Sequence, residues 1–182
     1  KEKMTGNFRT ADALRPRTID DIVGQEHLFG QKGVIRRVLA SGRIPNMIFY
    51  GPPGTGKTSL ANIIASTTNG HFEKLNAVSA GVADCKRIID EAKHRLKSRG
   101  IKTYLLLDEC HRWSKSQSDC VLEAIEKGYI IFIGSTTENP YINMTRAIVS
   151  RCKVFEFKPL SVQEIIVALR RALMDKDKGL GN

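Results

Sequence analysis

Three groups of residues in this 182-residue chain have the types and spacing of phosphate chemistry. Gly51-Pro52-Pro53-Gly54-Thr55-Gly56-Lys57-Thr58 fits G-x-x-x-x-G-K-[ST] in full, and Ser59 carries it into an apolar-periodic run. Glycines at these positions let backbone N–H groups turn inward around phosphate oxygens, at the positive end of the helix that follows. Lys57 then reaches the β- and γ-phosphates of a nucleoside triphosphate, and the Thr58 hydroxyl is a ligand for Mg²⁺. The second group is Asp108-Glu109, closing the apolar run Tyr104–Leu107. Asp108 would hold Mg²⁺ through its water shell, while Glu109 orients and polarises an attacking water. An acidic pair of this kind favours water over a bound hydroxyl as acceptor, so the expected reaction is hydrolysis.

The third group follows later strands. In Gly134–Pro140 (GSTTENP), a strand end adjacent to the phosphate loop would bring a hydroxyl or amide near the γ-phosphate. Thr137 is the first choice, with Thr136 and Asn139 behind it; an ordinary Asn-Pro turn is the competing reading. Arg151 stands too far along the fold to serve its own phosphate loop easily. A guanidinium there could act on a neighbouring subunit's phosphates, stabilising transition-state charge, or be a plain surface arginine.

The elements that must position these groups alternate between strand and helix, which predicts an α/β fold around a mostly parallel sheet. Candidate strands are 47–50, 71–75, 103–107, 130–134 and 154–157, several of them continuous apolar runs, as expected when both faces are covered. Helices are predicted over 57–67, 85–99 with Asp84 as N-cap, 116–127, and 33–40 ahead of the first strand. Pro159 breaks the pattern. Ser161 and Glu164 then form a capping box opening a helix to about Met174, whose apolar residues Ile165, Ile166, Leu169 and Leu173 need partners. Residues 1–159 therefore read as a nucleotide-binding core, with 1–14 as an extension, and 160–182 as the first helix of a truncated second domain.

Composition narrows the setting. No apolar run approaches the roughly 20 residues of a membrane helix, and the polar start is not that of a signal peptide. The four cysteines, Cys85, Cys110, Cys120 and Cys152, make no CxxC pair and read as reduced thiols. A metal set from Cys110, His111 and Cys120 matches no zinc spacing. The net charge of +10 suits a polyanionic partner, nucleic acid above all, and equally a merely soluble basic protein.

With these motifs in order, the chain resembles an AAA+ ATPase of the clamp-loader branch, a P-loop NTPase. More narrowly, it resembles the RarA/MgsA family of replication-associated recombination proteins, related to the Werner-helicase-interacting ATPase. The stretches that carry the likeness are RPRTIDDIVGQEHL (Arg15–Leu28), the phosphate loop, LNAVSAGV (Leu75–Val82), LLLDECHRWSKSQ (Leu105–Gln117), GSTTENP and SRCKVFEFKPLS (Ser150–Ser161).

The resemblance implies a five-stranded sheet in the order 5-1-4-3-2 followed by a helical lid. It implies ATP and Mg as cofactors, with adenine near Asp21–Gln25 against Ile22 and Val23. Thr137 would be the sensor of the γ-phosphate, Arg151 the finger acting in trans, and Asn76 a link between DNA contact and Glu109. It further implies DNA-stimulated ATP hydrolysis at gaps, ends or stalled forks, in a homo-oligomer that meets single-strand-binding protein. The setting would be the bacterial cytoplasm, at the nucleoid, and away from any membrane. Ser79, Lys86, Arg87, Arg112 and Lys115 would touch DNA phosphates, although a solvated helix face accounts for them as well. Trp113, where relatives carry phenylalanine, reads as packing rather than base stacking. The other readings are a clamp-loader ATPase subunit and a nucleotide-binding scaffold that does not turn over.

Overall fold

In the computed structural model, which describes residues 18–22, 24–30 and 33–174, the five apolar runs become five parallel strands. They are β1 (Met47–Tyr50), β2 (His71–Asn76), β3 (Thr103–Asp108), β4 (Ile130–Thr136) and β5 (Lys153–Glu156). Their order is β2-β3-β4-β1-β5, the expected 5-1-4-3-2 seen from the other edge. The α-helices among the described residues are α1 (Glu26–Phe29), α2 (Val34–Ser41), α3 (Lys57–Thr67), α4 (Val82–Arg99), α5 (Lys115–Glu126), α6 (Pro140–Asn143), α7 (Arg146–Val149) and α8 (Val162–Met174). None of these is long and apolar enough to cross a membrane.

The central strands β1, β3 and β4 are mostly apolar because successive residues feed two cores. Met47 and Phe49 of β1, Tyr104 and Leu106 of β3, and Ile133 of β4 pack on one face with Leu60 and Ile64 of α3 and Ile35 of α2. Ile48, Leu105, Leu107 and Phe132 point to the other face, against Ile88 and Ala92 of α4, Val121 and Ala124 of α5, and Ile148 of α7. The helix after β1 thus covers one face, and those after β2 and β3 cover the other. The carboxyl ends of the strands beside β1 are where such switches of crossover direction place ligands. At the sheet's edges, His71, Glu73 and Lys74 on β2 and Lys153 and Glu156 on β5 supply the polar side chains that discourage further pairing.

Local signals set most helix ends, with two corrections. α4 begins at Val82 with Gly81 as N-cap, so Asp84 is its third residue and not the cap; from there its carboxylate accepts the Gly81 N–H at 3.0 Å. α5 begins at Lys115, one residue earlier than expected, because Ser114 and Gln117 form a capping box: Ser114 N–H donates to Gln117 Oε1 at 2.9 Å. The box expected at the last helix is present, with Ser161 N–H donating to Glu164 Oε1 at 3.0 Å and Glu164 N–H to Ser161 Oγ at 3.1 Å. Ile165, Ile166, Leu169 and Leu173 of α8 are all exposed. The extension 1–14 and the tail after Met174 lie outside the described residues.

Trp113 is buried in the second core, which is a packing role. Cys110 is buried beneath β4 and donates to Met144 Sδ at 3.4 Å, whereas Cys85 on α4 meets Cys120 on α5. Burial, reinforced by Cys120, pushes the Cys85 thiol from 9.0 up to about 12, and burial pushes Cys152 up to about 12 as well. A rise of that size lowers the thiolate fraction at pH 8 about a thousandfold. In the native protein, iodoacetamide at pH 8 should therefore leave Cys85 and Cys152 largely unmodified, and urea should release their reactivity. Peptide mass mapping reads this, and fast native alkylation of either would contradict the packing.

Candidate nucleotide site at the carboxyl edge of the sheet

Strand register brings the chemistry together. Tyr50, the last residue of β1, lies opposite Thr136 at the end of β4, and Asp108 at the end of β3 lies opposite Ser135. Three carboxyl ends are thus level on neighbouring strands, each about 4.8 Å from the next. The glycine loop leaves β1 at this edge and α3 rises from it, with Leu60 N–H donating to Gly56 O at 2.9 Å.

Gly51 sits at φ +150 with its N–H donating to Thr136 O at 3.1 Å. A Cβ there would stand 2.1 Å from the carbonyl oxygen of Phe157, so β5 and the loop touch backbone to backbone. Gly54 has φ +74, but a Cβ would meet nothing within 4 Å; the loop is open on that side. Ile22, a predicted adenine contact, is buried against the loop, its Cγ2 3.3 Å from where a Gly56 Cβ would lie. Val23, its predicted companion, lies outside the described residues. Gln25 clamps this segment to the end of the core: its Nε2 donates to Lys158 O at 2.6 Å, and Lys158 N–H donates to its Oε1 at 2.8 Å.

The Lys57 ammonium is buried inside the loop and donates to Gly51 O and Pro52 O, each at 2.6 Å. Thr55 Oγ1 donates to the same Pro52 carbonyl at 2.7 Å. Burial lowers the Lys57 pKa, and the carboxylates of Asp108 and Glu109 pull it back up. The ammonium is therefore held by carbonyls that phosphate oxygens can replace, within the field of the acidic pair. Pro53 and Gly54 are exposed, Thr58 is half-buried beside Lys57, and Ser59 is buried. With an ammonium, a hydroxyl and a carboxylate converging on one open loop, the residues fit a Mg-bound nucleoside triphosphate.

Glu109 adopts a left-handed conformation, φ 54 and ψ 38. Its N–H is tied to Asp108 Oδ1 at 3.0 Å and its carbonyl accepts from Arg112 N–H at 2.9 Å. The structure separates the threonine pair: Thr136 is buried and Thr137 is exposed just beyond the strand. Asn139 caps α6, accepting from Tyr141 N–H at 3.0 Å.

Arg151 lies at the opposite edge. It precedes Lys153, which pairs with Met47 at the start of β1, so the length of the strand separates it from its own phosphate loop. Its Nε and Nη2 donate to Glu126 Oε1 at 3.0 and 2.6 Å, and Nη1 donates to Ala147 O at 2.7 Å. Ser79, Lys86, Arg87, Arg112 and Lys115 are all exposed. Gln117 joins the two segments that carry them by donating to Ala80 O at 3.1 Å. Asn76 ends β2 opposite Asp108, its Oδ1 accepting from Val78 N–H at 2.9 Å.

Two functional partners escaped the sequence. Glu126 gives no local sign that it pairs with a residue 25 positions away. His111 reads from the sequence only as a metal ligand, yet its Nδ1 lies 2.7 Å from Thr136 Oγ1 and its Nε2 3.7 Å from Glu109 Oε2. Its place two residues after Glu109, on a turn, was the available signal.

Comparison with known proteins follows the same lines. The family described as "ATPase family associated with various cellular activities (AAA)" matches residues 47–160. Replication-associated recombination protein A of Haemophilus influenzae is 45% identical over 94% of this chain, and the Escherichia coli K12 protein of that name is 40% identical over the same share. ATPase WRNIP1 of Dictyostelium discoideum is 43% identical over 90% of the chain. The chain spans 38% of the length of the two bacterial relatives and 18% of the third. Among solved structures, the Thermotoga maritima RuvB Holliday junction branch migration motor superposes with a TM-score of 0.73 at 26% identity, over 91% of this chain and 55% of that one.

The contrast between Gly51 and Gly54 generates a test. Gly51→Ala should weaken binding of a fluorescent ATP analogue at least about tenfold, because strain of about 1–3 kcal/mol must be relieved by moving the loop off β5. Gly54→Ala carries only the left-handed penalty of about 1–2 kcal/mol, so the loop should keep its place on β5 and its binding should suffer less. Titration of both variants decides; equal losses would deny the backbone contact its role.

Proposed function

This chain belongs to the AAA family of ATPases, within the RarA/MgsA branch and homologous to WRNIP1, and from that membership we propose that it is the ATP-hydrolysing core of a DNA-dependent ATPase that maintains or rescues stalled replication forks. The observation that carries the proposal is the alignment of the ends of β1, β4 and β3, which gathers Lys57, Thr136 and Asp108-Glu109 around one open loop.

In this reading the N–H groups from Gly54 to Ser59 hold the phosphates, and Ile22 and Val23 hold the base. Lys57 exchanges the Gly51 and Pro52 carbonyls for β- and γ-phosphate oxygens. Thr58 and Asp108 would hold Mg²⁺, whose chemistry is to neutralise charge on the β- and γ-oxygens. Glu109 orients water in line with the γ-phosphorus and takes its proton as the bond to the β-phosphate oxygen breaks. Thr137 contacts the γ-phosphate from the end of β4. Arg151 acts on the loop of an adjacent copy, since its own lies at the other edge of the sheet. Glu126 holds that guanidinium until a copy docks.

The helix from Val162 begins a lid whose remaining helices cover its exposed face, and the oligomer needs that lid. Ser79 and Lys86 with Arg87 on one side, and Arg112 with Lys115 on the other, contact phosphates of gapped or forked DNA; single-strand-binding protein meets the assembly there. Such contacts read no bases, and the affinity they give falls steeply with salt.

ATP turnover by the full-length protein should rise with gapped DNA and vanish in Glu109→Gln while ATP binding persists. Turnover absent throughout, with ATP bound, would replace the motor with a scaffold. Arg151→Ala should lower kcat by roughly 10³-fold or more without weakening ATP binding to a protomer. Mixing it with Glu109→Gln should restore activity at the boundaries that pair an intact Arg151 with an intact Glu109. No recovery in the mixture would remove the trans role.

A further inference from the structure

His111 occupies a place that the reaction described above does not use. It lies in the short 3₁₀ turn Cys110–Arg112 between β3 and α5, its side chain 15% exposed. Its two nitrogens face different parts of the site: Nδ1 lies 2.7 Å from Thr136 Oγ1, and Nε2 lies 3.7 Å from Glu109 Oε2.

The hydrogen-bond directions follow from the neighbours. Glu138 N–H donates to Thr136 Oγ1 at 3.0 Å, closing a tight turn around Thr137, and the threonine hydroxyl keeps its own hydrogen to give. The opposite nitrogen faces a carboxylate, which accepts hydrogen bonds and repels a lone pair. Both ends are satisfied when the Thr136 hydroxyl donates to Nδ1 and Nε2–H points at Glu109. The 3.7 Å contact is longer than a hydrogen bond, but the Glu109 carboxylate is 38% exposed and a side-chain rotation closes the gap. Contacts of this kind commonly tighten only with substrate in place.

We propose that His111 is a positioning residue, joining the turn that carries Thr137 to the carboxylate of Glu109, so that γ-phosphate contact at the end of β4 sets the direction of the water-orienting group. The inference rests on Glu109 and Thr137 having the roles proposed above. The connected groups are Glu138 N–H, the Thr136 hydroxyl, the imidazole and the Glu109 carboxylate, and Thr137 lies inside the turn at one end. A shift of the Thr137 backbone towards phosphate moves Thr136 Oγ1, and the imidazole follows because its nearer contact is the short one. Glu109 is already confined by its left-handed backbone, so small changes at Nε2 select its side-chain direction.

Substitution separates coupling from support. An asparagine amide reproduces the reach of Nδ1, and a glutamine amide that of Nε2. In the full-length protein with gapped DNA, His111→Asn, His111→Gln and His111→Ala should each lower kcat about 10- to 100-fold, the cost of misplacing a reacting group by about 1 Å. KM and the affinity for a fluorescent ATP analogue should stay within about threefold, as for an interaction used only in the transition state. Thr136→Val should give a similar loss, and combined with His111→Ala no more than either alone. Wild-type kcat in His111→Asn would mean that the histidine merely supports the turn, and additive losses would equally overturn the coupling. Glu109→Gln is the control: if it stays active, the hydrolytic reading falls with this one. If it is dead while all His111 variants turn over normally, only the coupling falls.

Discussion

Parallel register at β1, β4 and β3 is the constraint on which everything else depends. Pairing of Tyr50 with Thr136 and of Asp108 with Ser135 brings three strand ends level, and residues that leave the strands there share one edge of the sheet. A slip of one residue would turn every side chain to the opposite face, exchanging the layer of Phe49 and Leu106 with that of Ile48 and Leu107. Because both layers are filled, on one side by α2 and α3 and on the other by α4, α5 and α7, neither can absorb the exchange. The double core therefore holds the site in place without touching it.

On that frame, electrostatics is arranged economically. One buried ammonium, Lys57, has two backbone carbonyls as immediate partners and two carboxylates further off. Carbonyls satisfy the charge without neutralising it, so it stays available to a phosphate. The carboxylates remain half-exposed, where water can reach them. Gly51 meets the Phe157 carbonyl just after β5, and Gln25 joins its own segment to Lys158, four residues before the start of α8. The glycine loop and the segment around Gln25 thus meet the chain at 157–158, just ahead of α8. A change in either is mechanically close to the other.

Much was legible beforehand because it is encoded over short distances. The spacing of Gly51, Gly54 and Gly56 specifies a backbone, and Ser161 with Glu164 specifies a helix start within a single turn. Several near-continuous apolar runs specify strands with two covered faces. The failures have a physical pattern too. Asp84 reads as a cap in the sequence but is a third residue, because a carboxylate satisfies a free N–H from either place. The four-residue helices α1, α6 and α7 are too short to show periodicity at all.

By itself, the sequence determined the groups that do the chemistry and the local elements carrying them, since loop, caps and strand alternation are set by neighbours in the chain. Tertiary structure decided which of these groups meet. Thr136 and Thr137 are indistinguishable as a dipeptide; only the point where β4 leaves the sheet buries one on His111 and exposes the other. Arg151 finds Glu126 and Gln25 finds Lys158 across 25 and 133 residues, contacts that exist only once strand order and helix packing are set. Contacts between distant segments depend on the whole arrangement of layers, and no local pattern contains that.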